Sequence, residues 1–239
     1  MYLQFYHVEQ NEKAKDSTPK LIENHEAEAS HRKASLIKTE YIIREMTRYL
    51  SLHWKDGLEY VKENGEAVLG MAEAFYSGIG GIGLVLNEVY RILKDENAKT
   101  AAWEIVSYYK EHAIRTSQGI YWSDNSVIYF DGGITLFLID SFLTYPGRGE
   151  EVYPLITDSC DYILANAIPH GDGGLEFDHL QVDFKHKEPN FEFGTAGIGY
   201  LFVKAYEITN DKRYVQAAQL AAVYLKNIAV KQKRIFDTI

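Results

Sequence analysis

The sequence predicts an all-α protein built from helical hairpins, and three observations support this fold class. From residue 36 onward, apolar residues recur at helical spacing, and no convincing set of alternating strands interrupts them. A glycine-rich segment followed by an apolar helix occurs three times along the chain. Arranged around an axis, such hairpins form an α/α toroid with an inner and an outer ring of helices.

Residues 1–35 are polar and charged, which indicates an N-terminal linker or a solvated helix. The helical pattern of the following domain, residues 36–239, begins with Ile42, Met46, Tyr49 and His53, spaced by 4, 3 and 4 residues. This spacing predicts a one-sided helix whose apolar face is turned toward a core. We expect His53 to be a structural residue at the wet end of that face.

The repeated segments align on Gly81, Gly133 and Gly197, which are 52 and 64 residues apart. The helix that each segment opens is apolar nearly all round, so we expect it to be buried on most sides as an inner helix. Glycines at its start would let neighbouring helices approach closely. We therefore interpret the repeat glycines as packing devices, with a ligand role as the less favoured interpretation: Gly78, Gly81, Gly133, Gly194 and Gly197.

A polar turn and a second, more amphipathic helix follow each inner helix. Asp95 or Asn97 can cap the first of these outer helices, whose apolar positions are Ala101, Ile105, Tyr109 and Ala113. In the second, Pro154 favours a first-turn position in a helix over about 153–166. The third has apolar residues at positions 214, 218, 221, 225 and 228.

Two long connections, residues 118–130 and 167–193, lead back to the next inner helix and would lie on the rim of the toroid. Long loops in compact domains are more often functional than not. The second is acidic and rich in histidine, with His170, Asp172, Asp178, His179, Asp183 and His186. It is either a solvated loop, a metal site of two His and a carboxylate, or an acidic surface that attracts a basic peptide.

Composition excludes several classes of protein. The chain has 25 Lys and Arg against 34 Asp and Glu, a net charge of −9, which argues against a broad nucleic-acid surface. No run of 18 apolar residues predicts a membrane span, and the N-terminus does not resemble a secretory signal. We therefore expect a cytoplasmic protein.

The single cysteine, Cys160, excludes a disulfide within the chain and a metal site with two of its own thiolates. Its neighbours along a helix are apolar, so we expect a small buried residue rather than a nucleophile. No cofactor or metal site is predicted for this chain.

Candidate substrate-facing residues on the rim come from the two long loops. They are Trp122, Asp124, Asp131, His170 and Asp172. Trp122 is either a hydrophobic plug or a peptide contact. None of the five is assigned a catalytic role.

The segments Gly78-x-x-Gly81-Ile82-Gly83 and Gly194-x-x-Gly197-Ile198-Gly199, each opening an apolar helix, resemble the inner-helix repeats of the lanthionine synthetase C-like family. The resemblance covers residues 36–239 and implies about four of the seven hairpins of an α/α toroid. It further implies lanthipeptide (lantibiotic) biosynthesis. In that chemistry, cysteine thiols of a peptide add to its dehydroalanine or dehydrobutyrine residues at a zinc ion held by two Cys and one His.

The sequence departs from this family at its functional positions. The Trp-Cys-x-Gly and Cys-His-Gly segments that supply the zinc ligands do not occur here. Phe193 stands where the family has a histidine, and Ser126 stands where it has an acidic residue. We therefore expect a chain that is incomplete or inactive alone, with zinc only if further residues complete the toroid.

The partners that the resemblance implies are a peptide substrate or leader peptide, and a domain or chain that completes the toroid. Two other functions stay open. One is a non-catalytic peptide-binding or scaffold protein with a half toroid. The other is a carbohydrate-active α/α-toroid enzyme, with Asp124, Asp172 and Glu176 as candidate carboxylates.

Overall fold

The computed structural model describes residues 18–64, 72–177 and 189–236, and these residues are mostly helical. The chain divides into two compact units, residues 1–46 and 47–239. Helix α1 (Thr18–His53) is followed by the short helix α2 (Asp56–Asn64). None of the described helices combines the length and the apolar character needed to cross a bilayer.

The prediction that Ile42, Met46 and Tyr49 form the core-facing side of α1 is wrong, because the residues of α1 that face the core are Thr47, which is buried, and Leu50. Ile42, Met46 and Tyr49 are 47%, 61% and 62% exposed. Helical spacing identifies an apolar face, but it carries no information on whether another element covers that face. His53 ends the helix, stacks on Tyr49 and hydrogen-bonds Asp56 at 2.9 Å, which are structural contacts, but the apolar face that it ends is exposed rather than part of a core.

The described part of the second unit contains three helical hairpins in which consecutive helices pack together, as the sequence predicts. Their helices are α3 (Ile79–Leu93) with α4 (Glu96–His112), α5 (Asp131–Thr144) with α6 (Gly149–Ala165), and α7 (Thr195–Thr209) with α8 (Lys212–Phe236). The inner helices form a row, because α5 packs against both α3 and α7.

The first and third hairpins share one turn geometry. Lys94 and Asn210 end their inner helices in the left-handed conformation, with φ of 54° and 56°. The backbone N–H of each donates a hydrogen bond to the carbonyl oxygen four residues earlier, at 2.9 Å. The next residue caps the outer helix: Asp95 accepts from the N–H groups of residues 97 and 98, which confirms the predicted cap, and Asp211 accepts from Arg213.

Only α5 fulfils the expectation that an inner helix is buried on most sides. On α3, Val85 and Ile92 are 50% and 66% exposed, and Tyr200 and Val203 of α7 are also exposed. The cause lies in the row itself, since α5 has an inner helix on each side, whereas α3 and α7 each pack against α5 alone among the described inner helices.

The outer helices follow the predicted periodicity with two corrections. On α4, Ala101, Ile105 and Tyr109 are buried as predicted. On α8, the buried residues are Tyr214, Ala217, Ala221 and Tyr224, so the buried face includes two neighbours of the predicted positions 218 and 225.

The predicted start of α6 is wrong. The helix begins at Gly149, immediately after a 3₁₀ turn (Pro146–Arg148), so Pro154 lies inside it rather than in its first turn. Proline removes one N–H donor from the helical ladder. Cys160 of the same helix is fully buried, as predicted.

The expectation that the chain lacks strands also needs correction, because both long connections contain a short antiparallel hairpin. The first pairs β1 (Ile114–Thr116) with β2 (Gly119–Tyr121), and the second pairs β3 (Ile168–Pro169) with β4 (Leu175–Glu176). Strands of two or three residues are too short to show a detectable alternation of apolar and polar residues.

Each β-hairpin packs on the outer helix of the next helical pair, β2 on α6 and β4 on α8. Both contacts depend on glycine. A Cβ on Gly119, which has φ of 137°, would lie 2.0 Å from the Asp158 carbonyl oxygen, and one on Gly174 would lie 2.8 Å from the Tyr224 Cα. The structural repeat is therefore an outer helix, a β-hairpin and the next inner helix.

Candidate functional site at the rim

The starts of α3, α5 and α7, with the segments that precede them (residues 72–78, 122–130 and 189–194), form a surface that we call the rim. Backbone hydrogen bonds join these segments in series. The Phe75 N–H donates to the Tyr129 carbonyl, and the Tyr129 N–H donates to the Glu192 carbonyl, each at 3.0 Å. Segments that are distant in sequence are thereby joined into one surface.

The three aligned glycines lie where each rim segment crosses its own inner helix. A Cβ at each position would collide with a backbone carbonyl oxygen five or six residues earlier. The distances are 2.5 Å for Gly81 to Phe75, 2.1 Å for Gly133 to Ile128, and 1.9 Å for Gly197 to Phe191. Such separations are too short for any side chain, which explains the repeated glycine.

Two of these glycines, Gly133 and Gly197, also receive side chains from the neighbouring repeat. Phe75 Cβ would lie 2.3 Å from a Cβ on Gly133, and Ile128 Cγ1 would lie 2.4 Å from a Cβ on Gly197. Gly78 and Gly194 precede their helices in extended conformation without a side-chain cap. These contacts support the interpretation of the repeat glycines as packing devices.

Asp131, the first residue of α5, is buried and holds the segment that follows β2. Its carboxylate accepts hydrogen bonds from the Ser123 N–H and Oγ, both at 2.9 Å, and more distantly from the N–H groups of Trp122 and Asn125. Burial raises the pKa of Asp131 from 3.8 to about 7, although these donors oppose the rise. Asp131 is therefore a buried structural anchor, which disagrees with its prediction as a substrate-facing residue.

Thr195 occupies the equivalent position at the start of α7, two residues before the aligned glycine, as Asp131 does. Its buried hydroxyl accepts from the Phe177 N–H at 2.9 Å and donates to the Phe177 carbonyl at 3.2 Å. Phe177 directly follows β4, just as Trp122 directly follows β2. The first residue of the inner helix thus ties down the end of a β-hairpin in both repeats.

Trp122 fills the interior below the rim. It is buried, its ring packs edge-on against Tyr109, and its indole N–H donates to the Tyr109 carbonyl at 2.8 Å. Of the two predicted roles, the structure matches the hydrophobic plug. The prediction that Trp122 faces a substrate is therefore wrong, because its side chain is buried.

Asp124 remains at the surface of the same loop, partly exposed and in the left-handed conformation with φ of 58°. Its carboxylate accepts a hydrogen bond from the Tyr162 hydroxyl of α6. Burial and this bond raise the pKa of Tyr162. The Tyr162 ring in turn stacks on Tyr121 at 4.8 Å, so the orientation of Asp124 is fixed.

His170 and Asp172 lie on the other β-hairpin. His170 Nε2 hydrogen-bonds Oε2 of the buried Glu176, and its ring lies 4.7 Å from that of Tyr224. Asp172 is exposed and accepts from the Gly174 N–H at 3.3 Å within the turn. The structure thus brings Trp122 and Asp124 of one loop together with Asp131 at the start of α5, and it places His170 and Asp172 in the turn between β3 and β4.

A metal site was one interpretation of the His- and Asp-rich loop. No group of three His, Cys, Asp or Glu side chains suited to a metal occurs within residues 18–64, 72–177 and 189–236. Asp178, His179, Asp183 and His186 lie outside these described residues. The only thiol, Cys160, is fully buried with its pKa raised by desolvation, so the residues present do not fit a zinc site of the thiolate type.

The most prominent feature of the rim is a ladder of three stacked aromatic rings, one from each segment. Tyr76 stacks on Tyr129 with centroids 5.7 Å apart and planes 4° apart, and Tyr129 stacks on Phe193 at 5.2 Å and 19°. Tyr76 is 52% exposed, and the other two are partly exposed. We call these three residues the rim ladder.

Sequence reasoning missed the rim ladder as a site. The one available signal was an aromatic residue shortly before each inner helix, but only the backbone bonds between segments align the rings. Comparison with models of known protein families finds no match, and a search among curated proteins finds none either. The function is therefore inferred from the residues of the rim.

Proposed function

We propose that the chain is a lanthionine synthetase C-like domain that binds a dehydrated, cysteine-containing precursor peptide at the rim ladder. The observation that carries the proposal is the row of partly exposed rings across three hydrogen-bonded segments. Aromatic faces offer apolar contact area with little loss of conformational freedom on binding. An extended peptide can lie along such a row and contact all three rings.

The repeat supports the same proposal. The glycine segments that resemble the family open inner helices, and the loops that carry the rings cross directly over these glycines. Carboxylates accompany the rings, since Asp124 lies in the segment of Tyr129 and Glu192 precedes Phe193. Acidic side chains next to an apolar row would favour a basic leader or core peptide.

Ring closure by this chain alone is not part of the proposal. In the family that the sequence resembles, zinc converts a peptide thiol to the nucleophilic thiolate. Because the described residues do not fit that zinc site, we assign no catalytic step to them. The proposed role of this chain is to bind and orient the peptide.

The test is equilibrium binding of a fluorescently labelled, dehydrated precursor peptide to the full chain and to Tyr76→Ala. We expect the variant to bind about 3- to 10-fold more weakly, the loss typical of one aromatic contact. Tyr41→Ala is the matched control, because Tyr41 is also an exposed tyrosine, at 64% against 52% for Tyr76, and lies far from the rim in sequence. Equal binding by wild type, Tyr76→Ala and Tyr41→Ala would refute the proposal.

The carbohydrate-enzyme alternative finds no support in the contacts of its candidate carboxylates. Asp124 is bound by Tyr162, Glu176 is buried against His170, and Asp172 belongs to a turn. A glycosidase needs two carboxyl groups that face the same scissile bond. Competition of the labelled peptide by soluble glycans would revive this alternative.

A further inference from the structure

A cavity of about 170 Å³ lies at the opposite end of the helices from the rim. It lies between α4 and the turn that joins α5 to α6, whereas the rim lies at the helix starts of α3 and α5. Its lining residues are Lys99, Thr100, Trp103, Glu104, Tyr145 and Arg148. No step of the proposed function uses this cavity.

Aromatic rings form its walls. Trp103 and Tyr145 meet edge-on with centroids 5.8 Å apart, and Tyr90, which does not line the cavity, packs on Tyr145 at 5.5 Å. Tyr145 is held from behind, because its hydroxyl donates to the side-chain oxygen of the buried Asn87 at 2.8 Å. Asn87 is fixed in turn by its own bond to Ser141, also 2.8 Å long. The wall is therefore rigid before any ligand arrives.

Cations lie at its edge. The Arg148 guanidinium is 4.3 Å from the Trp103 ring centroid, and Lys99 Nζ is 5.1 Å from that of Tyr90. The nearby carboxylates have other partners, since Glu96 pairs with Lys99 at 2.9 Å and Glu104 with Lys55 at 3.4 Å. Among the described residues, Arg148 forms no ion pair.

We propose that this cavity binds a small aromatic carboxylate, with its ring against Trp103 and Tyr145 and its carboxylate on Arg148. A planar guanidinium binds a carboxylate through two parallel hydrogen bonds. The volume suits one ring, since a cavity of about 150 Å³ in another protein accepts benzene. A cationic ligand is disfavoured, because cations of the chain itself already lie over the Trp103 and Tyr90 faces.

Calorimetric titration of the full chain with benzoate tests the proposal. We expect saturable binding of one benzoate, and no saturable binding of acetate, which lacks the ring, or of benzyl alcohol, which lacks the charge. Arg148→Gln should weaken benzoate binding at least tenfold. Arg148→Lys should be intermediate, since it keeps the charge but not the two-pronged geometry.

Arg213→Gln is the matched control, because Arg213 is an exposed arginine on α8 and does not line this cavity. It should leave benzoate binding unchanged. Circular dichroism of each variant verifies that the helices are intact. The proposal is overturned if benzoate fails to saturate, if acetate binds equally well, or if Arg148→Gln and Arg213→Gln behave alike.

Discussion

Gly197→Ala is the sharpest test of how the rim is built. The added methyl group would lie 1.9 Å from the Phe191 carbonyl oxygen and 2.4 Å from Ile128 Cγ1. The first of these atoms is backbone of the segment that crosses α7. The second belongs to the neighbouring repeat. Neither contact is relieved by rotation of an exposed side chain, so the rim segment has to move away from the helix.

The expected cost follows from these two contacts. Overpacking of a filled interior costs about 1–3 kcal/mol, and more where backbone has to shift. We therefore expect Gly197→Ala to lower the free energy of unfolding by about 3 kcal/mol or more. For a chain of this size each kcal/mol lowers Tm by about 2–4 °C, so Tm should fall by about 6–12 °C.

The assay is urea unfolding followed by circular dichroism, with thermal unfolding in parallel. Gly147→Ala is the control, because a Cβ at Gly147 would have no atom within 4 Å. It should change the free energy of unfolding by less than about 0.5 kcal/mol. If Gly197→Ala and Gly147→Ala have the same free energy of unfolding, the interpretation of the repeat glycines as close-packing positions is refuted.

Three further predictions concern buried polar groups. Because burial raises the pKa of Asp131 to about 7, its contribution to stability is complete below pH about 4 and is lost as the pH rises through 7. Relative to Asp131→Asn, the free energy of unfolding of wild type should therefore fall by up to about 4 kcal/mol between about pH 4 and pH 7, as measured by urea unfolding. Thr195→Val deprives the buried Phe177 N–H of its acceptor and should cost about 1–3 kcal/mol of unfolding free energy in the same assay. Cys160, buried with a raised thiol pKa, should resist a disulfide reagent in the folded chain and react fully in guanidinium chloride; fast labelling without denaturant would contradict its burial.

Features that depend on residues near one another in sequence could be predicted. The cap at Asp95 is one example, since an acidic side chain can reach N–H groups two and three residues ahead without any tertiary contact. The buried positions of α4 follow from helical spacing in the same way. The aligned glycines marked the helix starts correctly, because each collision that requires glycine is with a carbonyl only five or six residues away.

Features that depend on distant residues could not be predicted. The exposed face of α1 has the spacing of a buried one, and only the absence of a covering element among the described residues distinguishes the two. The β-hairpins are stabilised by contacts with an outer helix of the next pair, which their own few residues do not indicate. Asp131 and Thr195 serve the same purpose with different chemistry, so no shared residue type revealed the role.

The rim also shows why packing and function are not competing interpretations of the glycine segments. Gly197 permits Phe191 to cross α7, and the same short segment carries Phe193 into its stack on Tyr129. The hydrogen bond from the Tyr129 N–H to the Glu192 carbonyl depends on the same packing, since it forms only where the two segments lie against their helices. A glycine selected for packing therefore also sets the spacing of the rim ladder. On this argument, a substitution that lifts one segment should disturb the proposed peptide site even if no ligand touches the glycine itself.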